Sequence, residues 1–173
     1  MANTTFSGPV RSLNGFISFG PKAVVSLTAS ATLTVAAHAG RTLLCNASSG
    51  VFTLPTITSG SSSDVAGAND YNVLSNLGCT YTFWVETAAT DMDIKTDGTD
   101  RFFGAVYTGI NDSAGGKTFI SSSGSNDVIT MNGSTKGGIA GSYVQFTAMA
   151  SAAYYVSGTL LASGTLVTPF ADA

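Results

Sequence analysis

An unbroken alternation of apolar and hydroxyl-bearing residues restricts the fold of this chain more than any other feature of its sequence. Residues 25, 27, 29, 31, 33 and 35 are Val, Leu or Ala, and each residue between them is Ser or Thr. A period of two places the two sets of side chains on opposite faces of a β-strand, and a helix cannot produce it. The same alternation recurs around Phe83, Ile94 and Phe146. The sequence therefore predicts an all-β fold.

Further strands are predicted from short runs rich in β-branched and aromatic residues, which Gly-, Ser- and Asn-rich breaks separate. These runs are residues 42–46, 51–54, 101–108, 118–121, 128–132 and 154–162. The break at residues 46–50 predicts a hairpin turn between Leu43 and Leu54, and Asp97-Gly98 predicts a second turn. Residues 58–70 predict a longer exposed loop. Many short strands at this spacing predict an antiparallel β-sandwich of jelly-roll type over residues 23–173.

Residues 1–22 follow a different pattern, which predicts an extended N-terminal arm. Glycines and prolines interrupt this segment at Gly8-Pro9, Gly15 and Gly20-Pro21, so regular structure is not expected there. The segment still carries six large apolar side chains, at Phe6, Val10, Leu13, Phe16, Ile17 and Phe19. Because water solvates such side chains poorly, we expect the arm to pack against a neighbouring molecule. Packing against its own domain is the alternative.

The chain is poor in charge, with 10% charged and 44% apolar residues and a net charge of −3. An uncharged surface costs little free energy to desolvate, which favours a component of a larger assembly. The seven Lys and Arg residues form no patch for a phosphate backbone, so nucleic-acid binding is not expected. No run of about 18 apolar residues predicts a membrane span.

The first five residues lack the basic and apolar regions of a secretory signal, so we expect synthesis in the cytoplasm. In that reducing compartment Cys45 and Cys79 are expected to remain thiols, although a disulfide between them stays open.

Residue types that carry catalysis or bind metals are sparse. His38 is the one histidine, so a histidine metal cluster is excluded, and no nucleophile signature accompanies it. Within the acidic residues 91–100, Lys95 occupies the fifth position of a calcium loop, where a ligand is needed. Glu86 is the one glutamate, and residues 137–141 lack the lysine of a phosphate-binding loop. The sequence therefore predicts no catalytic residue, no metal site, no cofactor and no enzymatic activity.

Trp84 is the single most informative residue for an interface. In the alternating strand around it, Tyr81, Phe83 and Val85 share one face and Trp84 lies on the other. Either a second sheet covers both faces, or Trp84 lies at an interface, where tryptophan is enriched. Tyr154 and Tyr155 also point to opposite faces and raise the same question.

Several segments, taken in order, resemble small virion structural proteins of tailed bacteriophages. They are ANTTFSGPVRS at residues 2–12, AHAGRTLLCNA at residues 37–47 leading to residues 53–55, TMNGST at residues 130–135 followed by residues 137–138, and residues 163–165 and 168–170. The resemblance covers both ends and the middle, about half of the chain, and includes no catalytic signature. Residues 149–155 depart from it, because small residues replace a more polar stretch ending in Trp.

The resemblance implies a capsid decoration, or cement, protein on the exterior of the virion. Such a protein would form a homotrimer and bridge subunits of the major capsid protein, with the six apolar arm residues and Trp84 at the subunit or capsid interface. The alternative within the same resemblance is a fibre or knob tip that recognises glycans on a host surface.

Overall fold

The structure, a computed structural model, describes residue 20 and residues 23–58, 75–110, 115–121 and 124–172. In this part of the chain, twelve strands and one short helix build two sheets that share a core, so the predicted all-β sandwich is confirmed. The strands are β1 (Val24–Leu27), β2 (Ala31–Thr32), β3 (Thr42–Cys45), β4 (Ser49–Thr53), β5 (Thr80–Val85), β6 (Asp91–Lys95), β7 (Arg101–Ile110), β8 (Lys117–Ile120), β9 (Val128–Met131), β10 (Tyr143–Ala150), β11 (Ala153–Ala162) and β12 (Phe170–Ala171). The helix is α1 (Val35–His38).

The two sheets differ in width. The first has seven strands in the order β1-β3-β5-β10-β11-β7-β8, and the second has five in the order β12-β9-β6-β4-β2. Large apolar side chains from both sheets fill the space between them. Phe83 of the wide sheet lies 6.2 Å from Phe52 of the narrow sheet and 5.8 Å from Phe146, measured between ring centroids. Burying one such ring stabilises the fold by roughly 1.5–3 kcal/mol.

Strands β1 to β6 belong alternately to the wide and the narrow sheet, and within each sheet the neighbouring strands of this series are parallel. Val25, Leu43 and Phe83 are neighbours in register across β1, β3 and β5, while Phe52 pairs with Ile94 across β4 and β6. The hairpin predicted at residues 46–50 is therefore wrong, because β3 and β4 lie in different sheets. The chain crosses the sandwich there, which lets the apolar side chains of both strands face one core from opposite sides.

The second half of the fold adds antiparallel pairs. β10 pairs antiparallel with β5 and β11, β9 with β6 and β12, and β8 with β7. Among the described residues, five of the ten strand pairs are nevertheless parallel. The sheets are thus mixed rather than purely antiparallel as predicted, and the jelly-roll connectivity stays a prediction.

The long alternation at residues 25–35 does not form one strand. It is divided into β1 in the wide sheet and β2 in the narrow sheet, and Leu27 and Leu33 are both buried. The pattern then ends in α1, whose first turn is capped by the Thr34 side chain accepting a hydrogen bond from the Ala37 N–H at 3.3 Å. Leu27 at the end of β1 and Leu33 directly after β2 both point into the shared core, and periodicity does not reveal which sheet each segment joins.

Three sequence expectations concern other segments. The Asp97-Gly98 turn lies between β6 and β7, with Gly98 at a φ of +93°. The predicted loop at 58–70 is described only at Thr58, and the arm with Phe6, Val10, Leu13, Phe16, Ile17 and Phe19 lies outside the described residues. Within the described part of the chain, no helix has the length and apolar character needed to cross a membrane.

Candidate functional site

The outer surface of the seven-stranded sheet carries a group of exposed aromatic residues. Trp84 is 45% exposed on this surface, opposite the inward-facing Phe83. The narrow sheet packs on the other side of the wide sheet, so no second sheet in the described part of the chain covers Trp84, and its place in an interface stays a prediction. We call this surface the aromatic face and define its aromatic members as Trp84, Phe103, Tyr107, Tyr143 and Tyr155.

The strand register brings these residues from separate parts of the chain into rows. Trp84 of β5 lies directly opposite Tyr143 of β10, and Tyr143 lies opposite Thr159 of β11. Thr159 in turn pairs with Tyr107 of β7. In a second row, Tyr155 of β11 pairs with Phe103 of β7. Residues far apart in sequence therefore form one continuous surface.

Apart from Arg101 at the start of β7, whose guanidinium lies 3.1 Å from the Asp127 carboxylate, the aromatic face carries no charged side chain at the outward positions of its described strands. The uncharged outward positions include 24 and 26 on β1, 42 and 44 on β3, 80, 82 and 84 on β5, 143, 145 and 147 on β10, 155, 157, 159 and 161 on β11, 103, 105, 107 and 109 on β7, and 118 and 120 on β8. The outer surface of the narrow sheet differs, because Asp91, Asp93 and Lys95 all lie on it. The two outer surfaces of the sandwich are thus chemically distinct.

Glycines allow the ring of Tyr107 to lie against the backbone of its neighbours. A Cβ added at Gly116 would lie 2.3 Å from the Tyr107 hydroxyl oxygen, and one at Gly109 would lie 3.2 Å from the Tyr107 ring. Side chains at these two positions would push the ring outward. The Tyr107 ring is still 46% exposed, so the glycines help to keep the aromatic face low in relief while leaving the ring accessible.

Between the aromatic residues the face is lined by hydroxyl groups. The Thr80 and Thr147 hydroxyl oxygens are 3.4 Å apart, and the Gln145 side-chain amide donates a hydrogen bond to the Thr82 hydroxyl at 3.2 Å. These polar groups lie on neighbouring strands β5 and β10. The surface therefore offers apolar contact area together with neutral hydrogen-bonding groups.

The last two carboxylates of the acidic residues 91–100, Asp97 and Asp100, form a structural hub. Asp97 accepts hydrogen bonds from the Thr56 hydroxyl, from the Thr99 N–H at 2.9 Å and from the Thr99 hydroxyl at 2.6 Å. The buried Asp100 carboxylate accepts a hydrogen bond from the Ile57 N–H at 2.8 Å. These carboxylates secure residues 56–57 to the loop before β7. Among the described residues, no group of three or more His, Cys, Asp or Glu side chains could hold a metal ion.

His38 and the two thiols have local structural environments. His38 Nδ1 accepts a hydrogen bond from the Thr34 N–H at 2.9 Å across α1, which gives this side chain a structural role. Cys45 and Cys79 are free thiols. Burial raises the pKa of Cys45 to about 12, so its thiol is protonated at neutral pH and a poor nucleophile.

Two shallow depressions border these regions. One, of about 340 Å³, is apolar and lies at one end of the aromatic face; it is lined by Gly109, Ile110, Ile139, Leu161 and Ala162. The other, of about 400 Å³, lies beside the hub and is lined by Thr53, Lys95, Thr96, Asp97 and Gly98.

Comparison with known protein families, with curated proteins and with solved structures finds no match to this chain.

Of the predicted interface residues, the structure places Trp84 on an exposed face, and the six arm residues lie outside the described part of the chain. Phe103, Tyr107 and Tyr143 were not predicted to lie on the same surface. The alternation of odd and even positions could have assigned each residue to the outward face of its own strand. Only the strand order brings these residues together.

Proposed function

We propose that this chain is a non-enzymatic structural protein of a tailed-phage virion that decorates and cements the capsid by bridging major capsid protein subunits. The observation that carries the proposal is the aromatic face, a wide surface with five exposed aromatic rings whose one charged outward residue, Arg101 at the start of β7, is paired with Asp127. Exposed apolar patches of this kind are typical of protein–protein contacts. The resemblance of several segments to virion proteins supports a phage capsid as the assembly to which the chain binds.

The energetics of such a surface favour burial in an assembly. Tryptophan and tyrosine dominate binding free energies at interfaces because they bury a large area with few rotatable bonds. The one ionised group at the described outward positions, Arg101, is already paired with Asp127, so covering the face removes little hydration from charges. A protein that binds the assembled shell and not its free subunits stabilises the shell by mass action.

The N-terminal arm and the homotrimeric state belong to the same proposal. The six large apolar side chains of residues 1–22 would anchor the arm on a neighbouring subunit or on the capsid. The outer surface of the narrow sheet, which carries Asp91, Asp93 and Lys95, would then face solvent.

Copy number on purified particles tests this function. Quantitative mass spectrometry of virions from the phage that encodes the chain should find hundreds of copies per particle, and labelling should distribute them over the shell. A few copies at one vertex or at the tail would instead support a host-recognition tip. Absence from the particle would overturn both.

A binding test addresses the interface itself. Particles stripped of this protein should rebind the wild-type chain and rebind the Trp84→Ala variant about 30-fold or more weakly. Val51→Ala is the matched control, because Val51 is a comparably exposed apolar residue on the outer surface of the narrow sheet. Equal rebinding of all three proteins would remove the aromatic face from the binding surface.

A further inference from the structure

We propose that the partner covering the aromatic face is a second copy of this chain. This inference rests on the proposed structural function and names the partner of its main surface. The free chain would then already be an oligomer before it meets any other component, with Trp84 and Tyr143 in the contact between copies.

The charge distribution favours a second copy of the chain as the partner of the aromatic face. A surface that binds an oppositely charged partner carries unpaired charges of its own, and the described outward positions of the aromatic face carry only Arg101, which is paired with Asp127. Two identical faces without unpaired charges can meet without repulsion between like charges. The charged outer surface of the narrow sheet, with Asp91 and Asp93 close together, would repel its own copy.

The hydrogen-bonding groups of the face also suit contact with an identical surface. Its polar groups are mainly the hydroxyls of Ser, Thr and Tyr, each of which can both donate and accept a hydrogen bond. Such groups can pair with the same group on a symmetry-related copy, as the Thr80 and Thr147 hydroxyls already approach each other within one chain. Carboxylates, which only accept, could not pair in this way.

The size of the face sets how much of it a stable contact must cover. Seven strands spaced at about 4.8 Å give a width of about 29 Å, and the six-residue step from Tyr155 to Leu161 gives a length of about 20 Å. The flat footprint is therefore about 600 Å², before the relief of the side chains is counted. A stable interface buries about 800 Å² of accessible surface on each partner. Because the edge strands β1 and β8 have only four residues each, a contact between two copies would have to cover most of the face to approach this area.

The single tryptophan of the chain provides a direct probe of this contact. Trp84 is 45% exposed in one copy, so its emission in a monomer should lie at long wavelength and acrylamide should quench it efficiently. We expect the full-length chain to sediment as an oligomer at micromolar concentration. Dilution should dissociate it, shifting the Trp84 emission to longer wavelength and increasing quenching over the same concentration range.

Three lysine substitutions test whether the aromatic face, and not another part of the surface, forms the contact between copies. Tyr143→Lys places a charge opposite Trp84, and Phe103→Lys places one on β7, which lies three strands from β5 in the sheet, on the same face. Each should raise the dissociation constant of the oligomer by about 30-fold or more. Val51→Lys is the matched control, since Val51 and Tyr143 are both 37% exposed and Val51 pairs with Asp93 on the opposite sheet. It should leave the dissociation constant within about threefold.

Circular dichroism and thermal unfolding of each variant identify any that fail to fold, and two separate substitutions on the face guard against the loss of one. A wild-type chain that stays monomeric at about 100 µM, a concentration at which even a contact with a weak dissociation constant forms, would overturn the inference. An oligomer in which Trp84 stays fully quenchable would overturn it as well. If Trp84 becomes protected only when a monomeric chain binds particles, the partner is a capsid protein; the inference then fails while the proposed function stands.

Discussion

The guanidinium of Arg101 lies 3.1 Å from the carboxylate of Asp127, and this ion pair joins the two sheets of the sandwich. Arg101 begins β7 of the wide sheet, while Asp127 directly precedes β9 of the narrow sheet. The Asp127 side chain is only 3% exposed. Arg101 also donates hydrogen bonds to the carbonyl oxygens of Gly98 at 2.7 Å and Asp100 at 3.1 Å. One side chain thus secures the loop before β7, its own strand and the neighbouring sheet.

Replacing Arg101 by alanine should destabilise the fold strongly, because it removes the cationic partner of a buried carboxylate and two carbonyl hydrogen bonds. We expect the free energy of unfolding to fall by about 2–4 kcal/mol. Urea unfolding at pH 7 measures the change. Lys117→Ala, which removes an exposed cation from the edge strand β8, is the control and should change stability by less than about 0.5 kcal/mol. Equal effects of the two variants would refute the structural role of Arg101.

The Asp100 carboxyl should make stability depend on pH in an unusual direction. Burial raises its pKa above the ordinary value of 3.8, although the hydrogen bond from the Ile57 N–H and the nearby Arg101 oppose this. The folded state therefore binds the proton more tightly than the unfolded chain, and this group gains stability as the pH falls through the raised value. Asp100→Asn removes the titration while keeping an acceptor for Ile57. Its stability relative to the wild type should be higher at pH 7 than at pH 4, as measured by urea unfolding; a difference that is independent of pH would contradict this.

Asp97 should show the opposite dependence. Burial alone would raise its pKa, but hydrogen bonds from the Thr56 and Thr99 side chains and from the Thr99 backbone lower it below 3.8. Its stabilising contribution is fully present above that value and is lost as the pH falls through the lowered folded value. Asp97→Asn should therefore be less stable than the wild type at pH 7, and the deficit should shrink as the pH is taken below 3.8. The prediction fails if Asp97→Asn and Asp100→Asn show the same pH trend.

Gly104 on β7 should not tolerate a side chain. Its φ is +134°, and an added Cβ would lie 2.1 Å from the Val156 carbonyl oxygen on the adjacent strand β11. Gly104→Ala should lower the free energy of unfolding by about 3 kcal/mol or more, because backbone strain and overpacking add. Gly98→Ala is the matched control, since Gly98 also has a positive φ but no atom within 4 Å of an added Cβ. Thermal unfolding should show a clearly smaller loss for the control, and comparable losses would exclude the clash as the cause.

Periodicity made most of the secondary structure predictable. The alternations around Phe83, Ile94 and Phe146 became β5, β6 and β10, and the predicted inward residues are buried. The runs at 101–108 and 154–162 became β7 and β11 with bounds shifted by one or two residues. This succeeds because the direction of a side chain in a strand depends only on whether its position is odd or even. The short helix α1 and the two-residue β12 carry no such signal and were not predicted.

The sequence by itself determined that the chain is all-β, which residues face the core, and that no residue cluster for catalysis was to be expected. Only the tertiary structure decided how the strands pair. The alternation of apolar and polar residues around Leu43 and Phe52 is the same whether β3 and β4 form a hairpin or lie in different sheets, because both arrangements bury the same alternate positions. The candidate site depended on that choice, since Trp84 and Tyr143 become neighbours only through the pairing of β5 with β10. Local preference sets the face of each side chain, whereas long-range backbone hydrogen bonding sets its neighbours.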